Sequence, residues 1–252
     1  MKKIIISIVF VICFIGGLVH LLVNPLYRGV DYNNNSIVVS ETALYNHVDF
    51  LTKGDIQRDS ENIERLNEVS EYIYDHFEAN SCDTVKYQTF PVNNKEYKNV
   101  ICIIEGTLPS KIVLGAHYDV DGRHHYKEHS DQILRGADDN ASGVAGLLEL
   151  SKLLGENKPN LEHTIELVAY TLEEMPHFNK KSMGSYIHAQ DIFSKNEPVE
   201  FMISLEMIGY FSPEKIQKFP IGFLKYIYPE TGDFIALVAK IEQRGVKQIK
   251  KS

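Results

Sequence analysis

Basic residues are in the minority in this chain: 26 Lys and Arg stand against 34 Asp and Glu, for a formal charge of −8. The basic face that phosphate contacts need is lacking, which argues against nucleic acid as a partner. Cysteine is also scarce, with three in 252 residues. Cys13 lies in an N-terminal apolar run, and Cys82 and Cys102 alone do not make a metal motif. A disulfide between these two is open in an oxidising compartment. Cys102 sits in the apolar run NVICIIEG, where a buried free thiol is the alternative. Internal repeats and low-complexity tracts are absent. With 44% hydrophobic and 24% charged residues, the composition excludes a disordered chain, and the length suits one good-sized domain.

Lys2 and Lys3 precede IIISIVFVICFIGGLVHLLV, residues 4–23, which contains no Asp, Glu, Lys or Arg. Such a run suffices to span a bilayer. No A-x-A-like cleavage site follows, and the leading lysines favour an extracytoplasmic domain. Residues 1–23 are expected to be a signal-anchor, with secretion after cleavage as the alternative. Residues 24–40 read as a polar linker, leaving a domain at 41–252.

Apolar positions at Ile63, Leu66, Val69, Ile73 and Phe77 step by three and four. They predict an amphipathic helix over 60–79 with Ser60 as N-cap. VKYQTFPV, KNVICIIEG and KIVLGAHYD are short and rich in β-branched and aromatic residues, broken by NN and LPS, and read as strands. A helix follows GADDNAS, with Val144, Leu147, Leu148 and Leu154 on its apolar side. HTIELVAYTLEE reads as a strand, SMGSYIHAQDIF as a helix, VEFMISLEMIG as a strand and GDFIALVAKIEQR as a helix. This alternation implies an α/β layered domain with a sheet buried on both faces.

Three strands end in acids. KIVLGA runs into His117-Tyr118-Asp119, TIELVAYTL into Glu173-Glu174, and EFMISL into Glu206. In open α/β sheets the site lies beyond the carboxyl ends of the strands. Asp138 and Asp139, from a loop entering a helix, can reach the same place. Carboxylates gathered there repel one another unless cations neutralise them. One imidazole among several carboxylates suits zinc, or manganese or cobalt in its place. Taken singly, Asp138, Asp139 and Asn140 read better as a helix cap, Glu173-Glu174 as a solvated loop and Glu206 as a lone surface acid.

GAHYDV, GADDNASGVAGLLEL, TLEEMP, MGSYIHA and SLEMIGY resemble, in order and spacing, the blocks of the M28 family of zinc aminopeptidases. The resemblance runs from about Ser40 to the C-terminus. NVICIIEG and GYFSPEKIQKFP are similar to a bacterial, membrane-anchored branch. The resemblance implies a three-layer α/β/α sandwich with a mixed central sheet, two zinc ions, and a peptide substrate with a free N-terminus. It implies that His117 and Glu206 bind the first zinc and that Glu174 binds the second. Asp138 would bridge them, through a cis bond to Asp139. Asp119 would orient His117, and Glu173 would be the general base that takes a proton from a metal-activated water.

The family also uses a late histidine beside Glu174. Here the last of 10 histidines is His188, and none follows Glu206. The domain is therefore expected to lack its C-terminal part. His124, His125 and His129, in a polar loop, are candidate replacements, and His177 can line the cleft. His47, His76 and His163 lie away from the blocks. Three functions stay open: an exopeptidase, a non-catalytic homologue acting as a binding module, and a single-zinc chemistry such as glutaminyl cyclisation.

Overall fold

Asn93 and Asn94, with φ of 50° and 61°, make the two-residue left-handed turn that suits the twist of a hairpin. They join β1 (Thr84–Val92) to β2 (Lys95–Ile104), which pair antiparallel with Val92 opposite Lys95. This computed structural model describes residues 2–23, 38–80, 82–122, 133–157, 160–218, 222, 225, 228–235 and 238. Val38–Tyr210 form one compact unit.

Within that unit β3 (Leu108–His117), β4 (His163–Tyr170) and β5 (Val199–Ser204) complete a five-stranded sheet of order β1-β2-β4-β3-β5. β3 runs parallel to β4 and β5, whereas β2 runs antiparallel to β4. The sheet is therefore mixed, as expected. Side chains alternate across a strand, and each face has its own apolar cluster. Val100, Cys102, Ala116, Leu167 and Ala169 pack with Leu66, Val69, Ile73 and Phe77 of α3 (Ile63–Ala79) and with Val144, Leu147 and Leu148 of α4 (Gly143–Asn157). Ile101, Val113, Val168 and Tyr170 form the opposite cluster, against Ile192 of α5 (Gly184–Ser194). Helices on both faces make three layers. LPS, expected as a break, lies inside β3, where the register shifts between Leu108 and Lys111.

Several local expectations shift. Helix α3 begins at Ile63, so Ser60 is not its cap. Asn62 stands at its N-cap with no side-chain cap bond, and Asp59 instead orders the turn before the helix, its Oδ1 accepting from the amides of Glu61 and Asn62 at 2.9 and 3.2 Å. A further helix, α2 (Glu41–Thr52), opens the domain, where no element was assigned. Ser40 caps it through the Ala43 amide at 3.2 Å. Cys82 and Cys102 are joined as a disulfide, so Cys102 is not a free thiol.

The remaining residues belong to a second unit. Helix α1 (Lys2–Val23) coincides with the apolar run, and Ile4 to Phe14 stand exposed along it. Among the described residues, no helix is long and apolar enough to cross a membrane. Side chains are described for residues 4–17 of that run. These cover about 21 Å of helix against roughly 30 Å of hydrocarbon. The transmembrane segment expected at 1–23 is therefore not supported. β6 (Ser212–Lys215) pairs antiparallel with β7 (Thr231–Gly232). The helix expected from Gly232 thus starts on a strand residue, and most of it falls outside the described residues, as do positions 24–37 of the expected linker.

A polar ladder crosses the α5 face of the sheet. Lys111 Nζ donates to Glu166 Oε1 at 3.0 Å and to Glu197 Oε2 at 2.6 Å. His188 Nε2 lies 3.4 Å from Glu166 Oε2, and its Nδ1 meets the Tyr170 hydroxyl at 2.9 Å. Burial works to raise the Glu166 carboxyl, but His188 and Lys111 override it and hold it down at about 2. An acid depressed on folding stabilises the fold above its unfolded pKa of about 4.3 and stops doing so as pH falls through the folded value. Unfolding free energy should drop by about 2 kcal/mol between pH 4.3 and pH 2 from this group. Urea titrations across that range check it: Glu166→Gln should flatten the limb, and an unchanged limb refutes the assignment.

Candidate metal centre

His117 closes β3, an inner strand flanked by β4 and β5, and is 2% exposed. Its Nδ1 lies 3.1 Å from the backbone oxygen of Asp119. A carbonyl can only accept, so Nδ1 carries a proton and donates it there. Nε2 is thereby turned to the acids. It lies 3.0 Å from Asp139 Oδ1, 3.4 Å from Glu206 Oε2 and 3.8 Å from Glu173 Oε2. An imidazole with one nitrogen anchored on a carbonyl and the other facing carboxylates is the usual arrangement of a metal-ligating histidine.

The loop before α4 decides which aspartate takes part. Gly136 adopts φ 55°, and a Cβ there would meet the Asp139 carbonyl at 2.2 Å. The turn Ala137–Ser142 departs from helical angles at Asp139 (φ −105°, ψ 93°) and Asn140 (φ −133°, ψ 39°). This sends the neighbouring carboxylates to different partners. Asp139 meets His117. Asp138 Oδ1 accepts from the amides of Gly209 and Tyr210 at 2.9 and 3.0 Å. Asp138, expected to bridge, is thus committed to fixing the loop after Glu206. The cis bond also falls one residue later than expected, between Asp139 and Asn140.

Asn140 ties the turn to the third strand end. Its Nδ2 donates to the Leu205 carbonyl at 2.7 Å and to Glu206 Oε2 at 2.8 Å, while its Oδ1 accepts from the Gly143 amide at 3.1 Å. Reading this residue as a cap was partly apt, but its contact with Glu206 carried no signal in spacing.

Glu173 and Glu174 follow Leu172, whose φ of 58° turns the chain sharply beyond β4. The loop is held by Asp119, whose two oxygens accept from the amides of Glu173 and Glu174 at 3.1 Å each. The carboxylate of Asp119 is 3.6 Å from His117 Nδ1, farther than its own backbone oxygen. Asp119 therefore orients the imidazole through its carbonyl and the Glu pair through its carboxylate.

Two donor groups result: His117 with Asp139 and Glu206, and His117 with Glu173 and Glu174. Both use the same imidazole. The other histidines with described side chains are engaged elsewhere. His177 meets Ser182 Oγ at 2.9 Å, His163 meets Ser110 Oγ at 2.6 Å, and His76 donates to the Tyr72 carbonyl at 2.7 Å. His47 lies between Tyr72 and Glu149. His124, His125 and His129 fall outside the described residues.

The charges show what the arrangement favours. Burial raises the Glu173 and Glu174 carboxyls to about 7, with neighbouring acids adding to it and His117 opposing. Burial alone would lower His117, yet its bonds to Asp119, Asp139 and Glu206 pull it well above its ordinary value. A cation at Nε2 is what these carboxylates stabilise, and the nitrogen and oxygen donors fit a divalent metal such as zinc. Asp119 is 1% exposed, so Asp119→Ala would leave two inward-facing amides without an acceptor. It should cost about 2–4 kcal/mol in urea unfolding; a cost below about 0.5 kcal/mol would contradict this role.

With this geometry in hand, four likenesses bear on the chain. The model of peptidase family M28 matches residues 99–242. YfbL, an uncharacterized protein of Escherichia coli, is 39% identical over 213 residues, covering 84% of this chain and 64% of YfbL. Leucine aminopeptidase 1 of Metarhizium robertsii is 32% identical over 155 residues, covering 58% of this chain and 35% of that enzyme. The chain thus spans less than two thirds of either relative. Among solved structures, the glutaminyl cyclase of an Acidobacteriales bacterium superposes with a TM-score of 0.57 at 20% identity, covering 73% of this chain and 64% of its own. That last likeness speaks to the fold. Strand order, site geometry and the family match agree: the chain belongs to peptidase family M28.

Proposed function

We propose that the chain is a metal-dependent exopeptidase that removes N-terminal residues from peptides, with zinc as the metal. The observation that carries this reading is His117, anchored on a carbonyl through Nδ1, with Nε2 facing Asp139, Glu206 and Glu173. His117, Asp139 and Glu206 would hold one ion. Glu174 would hold a second. When bound, such ions polarise the scissile carbonyl and make a water acidic enough to attack at neutral pH.

The chain's own groups do the rest. Glu173, raised to about 7, is placed to take the proton of the attacking water and return it to the departing amine. Asp119 keeps Glu173 and Glu174 from swinging away, and Asn140 holds Glu206 toward the imidazole. Exposed acidic groups beside the ions would select a free α-amino terminus over a blocked one. The Cys82–Cys102 disulfide supports an extracytoplasmic location.

One observation favours a second reading. Both donor groups depend on His117, so a single ion at His117, Asp139 and Glu206 is also compatible. A single-ion site would suit glutaminyl cyclisation better than peptide hydrolysis.

Elemental analysis of the purified full chain, with assays on free and blocked aminoacyl substrates and on peptides beginning with Gln, separates these readings. The exopeptidase predicts bound zinc and hydrolysis of free N-termini. Glu173→Gln should keep the zinc and lose about 10²–10⁴-fold in rate. Asp139→Asn should lose zinc, whereas Asp138→Asn should retain it. Zinc lost with Asp138 rather than Asp139 would overturn the ligand set. A metal-free, inactive wild-type chain would point to a non-catalytic homologue.

A further inference from the structure

We propose that Arg58 is a positioning residue for the metal centre: its buried guanidinium locks the end of the His117 strand to the loop that carries Asp139. This rests on the reading of that centre given above. Arg58 lies in the loop between α2 and α3 and is 2% exposed. Its Nε donates to the Tyr118 carbonyl at 2.8 Å, one residue past His117. Its Nη1 donates to the carbonyls of Leu51, at 3.1 Å, and Arg135. Its Nη2 donates to the carbonyl of Gly136. The Arg58 carbonyl in turn accepts from the Val120 amide at 3.1 Å. One residue therefore spans both sides of the imidazole–carboxylate contact.

Two features make this more than packing. Among the described residues every acceptor is a backbone carbonyl, with no carboxylate bonded to the charge of Arg58. Burial disfavours that charge, and the fields of Asp119 and Asp139 act in its favour. The cation thus lies behind the ligand loop and offsets the acids it braces. Gly136 fits the same design, because a Cβ there would meet Arg58 Nη2 at 2.8 Å. A planar fork serves several divergent carbonyls at once, which the point charge of lysine cannot do.

Arg65 offers an internal control. It is also buried, and its Nη2 donates to the carbonyls of Phe50, Leu51 and Lys53 at 2.9–3.3 Å. It has its own carboxylate, Glu68, at 2.7 Å, and does not bond the Asp139 loop.

The test compares Arg58→Lys and Arg65→Lys in the full chain. Amide hydrogen exchange of segments 116–122 and 133–142 is read without metal, and zinc affinity is read by chelator competition. Arg58→Lys should speed exchange in both segments about tenfold or more and weaken zinc about 10–100-fold, the usual effect of losing a group that orients ligands. Arg65→Lys should leave both readouts near wild type, whatever it does to the melting temperature. Equal behaviour of the two variants, or wild-type exchange in Arg58→Lys, overturns the proposal. Should Arg58→Lys fail to fold, Arg58→Gln is read by the same two measurements. If the wild-type chain binds no zinc, the metal reading fails, while the exchange comparison still decides the role of Arg58.

Discussion

Repulsion among carboxylates is the constraint around which this domain is arranged. Glu173, Asp139 and Glu206 approach a single buried imidazole within 3.8 Å, and Glu174 is held beside them. Acids brought this close, with partial burial, favour protonation or a cation. Among the described residues, no lysine is paired with them. It surrounds them with fixed dipoles: the amide of Asn140 on Glu206, the Asp119 carbonyl on His117, and the amides of Glu173 and Glu174 on Asp119. These set positions without removing the charge, which leaves the cluster ready for a metal.

Each acid arrives by the same route, at the carboxyl end of a sheet strand or in the loop that enters α4. The parallel neighbours β4, β3 and β5 bring His117, the Glu pair and Glu206 to one edge. Membership of family M28 agrees with that geometry, and the coverage of its relatives, 64% of YfbL at most, leaves the activity a proposal.

Strand identities and the gathering of acids were legible because they rest on period-two patterns and on what ends each strand, whereas the mixed sheet was expected from the family resemblance. Choosing between Asp138 and Asp139 was beyond that kind of reading. The two residues are chemically identical, and the backbone angles at Asp139 and Asn140 decide which carboxylate faces the imidazole. Ser60 failed as a cap for a similar reason: the turn ordered by Asp59 delays the first helical residue to Ile63. Arg58 left no trace in spacing, since its partners are carbonyls that any residue supplies. Helix α2 was missed because its apolar stripe is thin, with only His47 and Leu51 buried.

The order β1-β2-β4-β3-β5 sets a hierarchy of local opening. His117 stands on a strand bonded on both sides, so it can be released only when the sheet itself yields. Asp139 stands in an irregular turn held by a few side-chain and guanidinium bonds, and such segments open at far lower free energy. The proposed centre would thus join a ligand on the sheet to one on a turn that depends on those few bonds. Ion capture would then depend on how often the turn closes onto the waiting imidazole, so its rate would be set by the turn and its geometry by the strand.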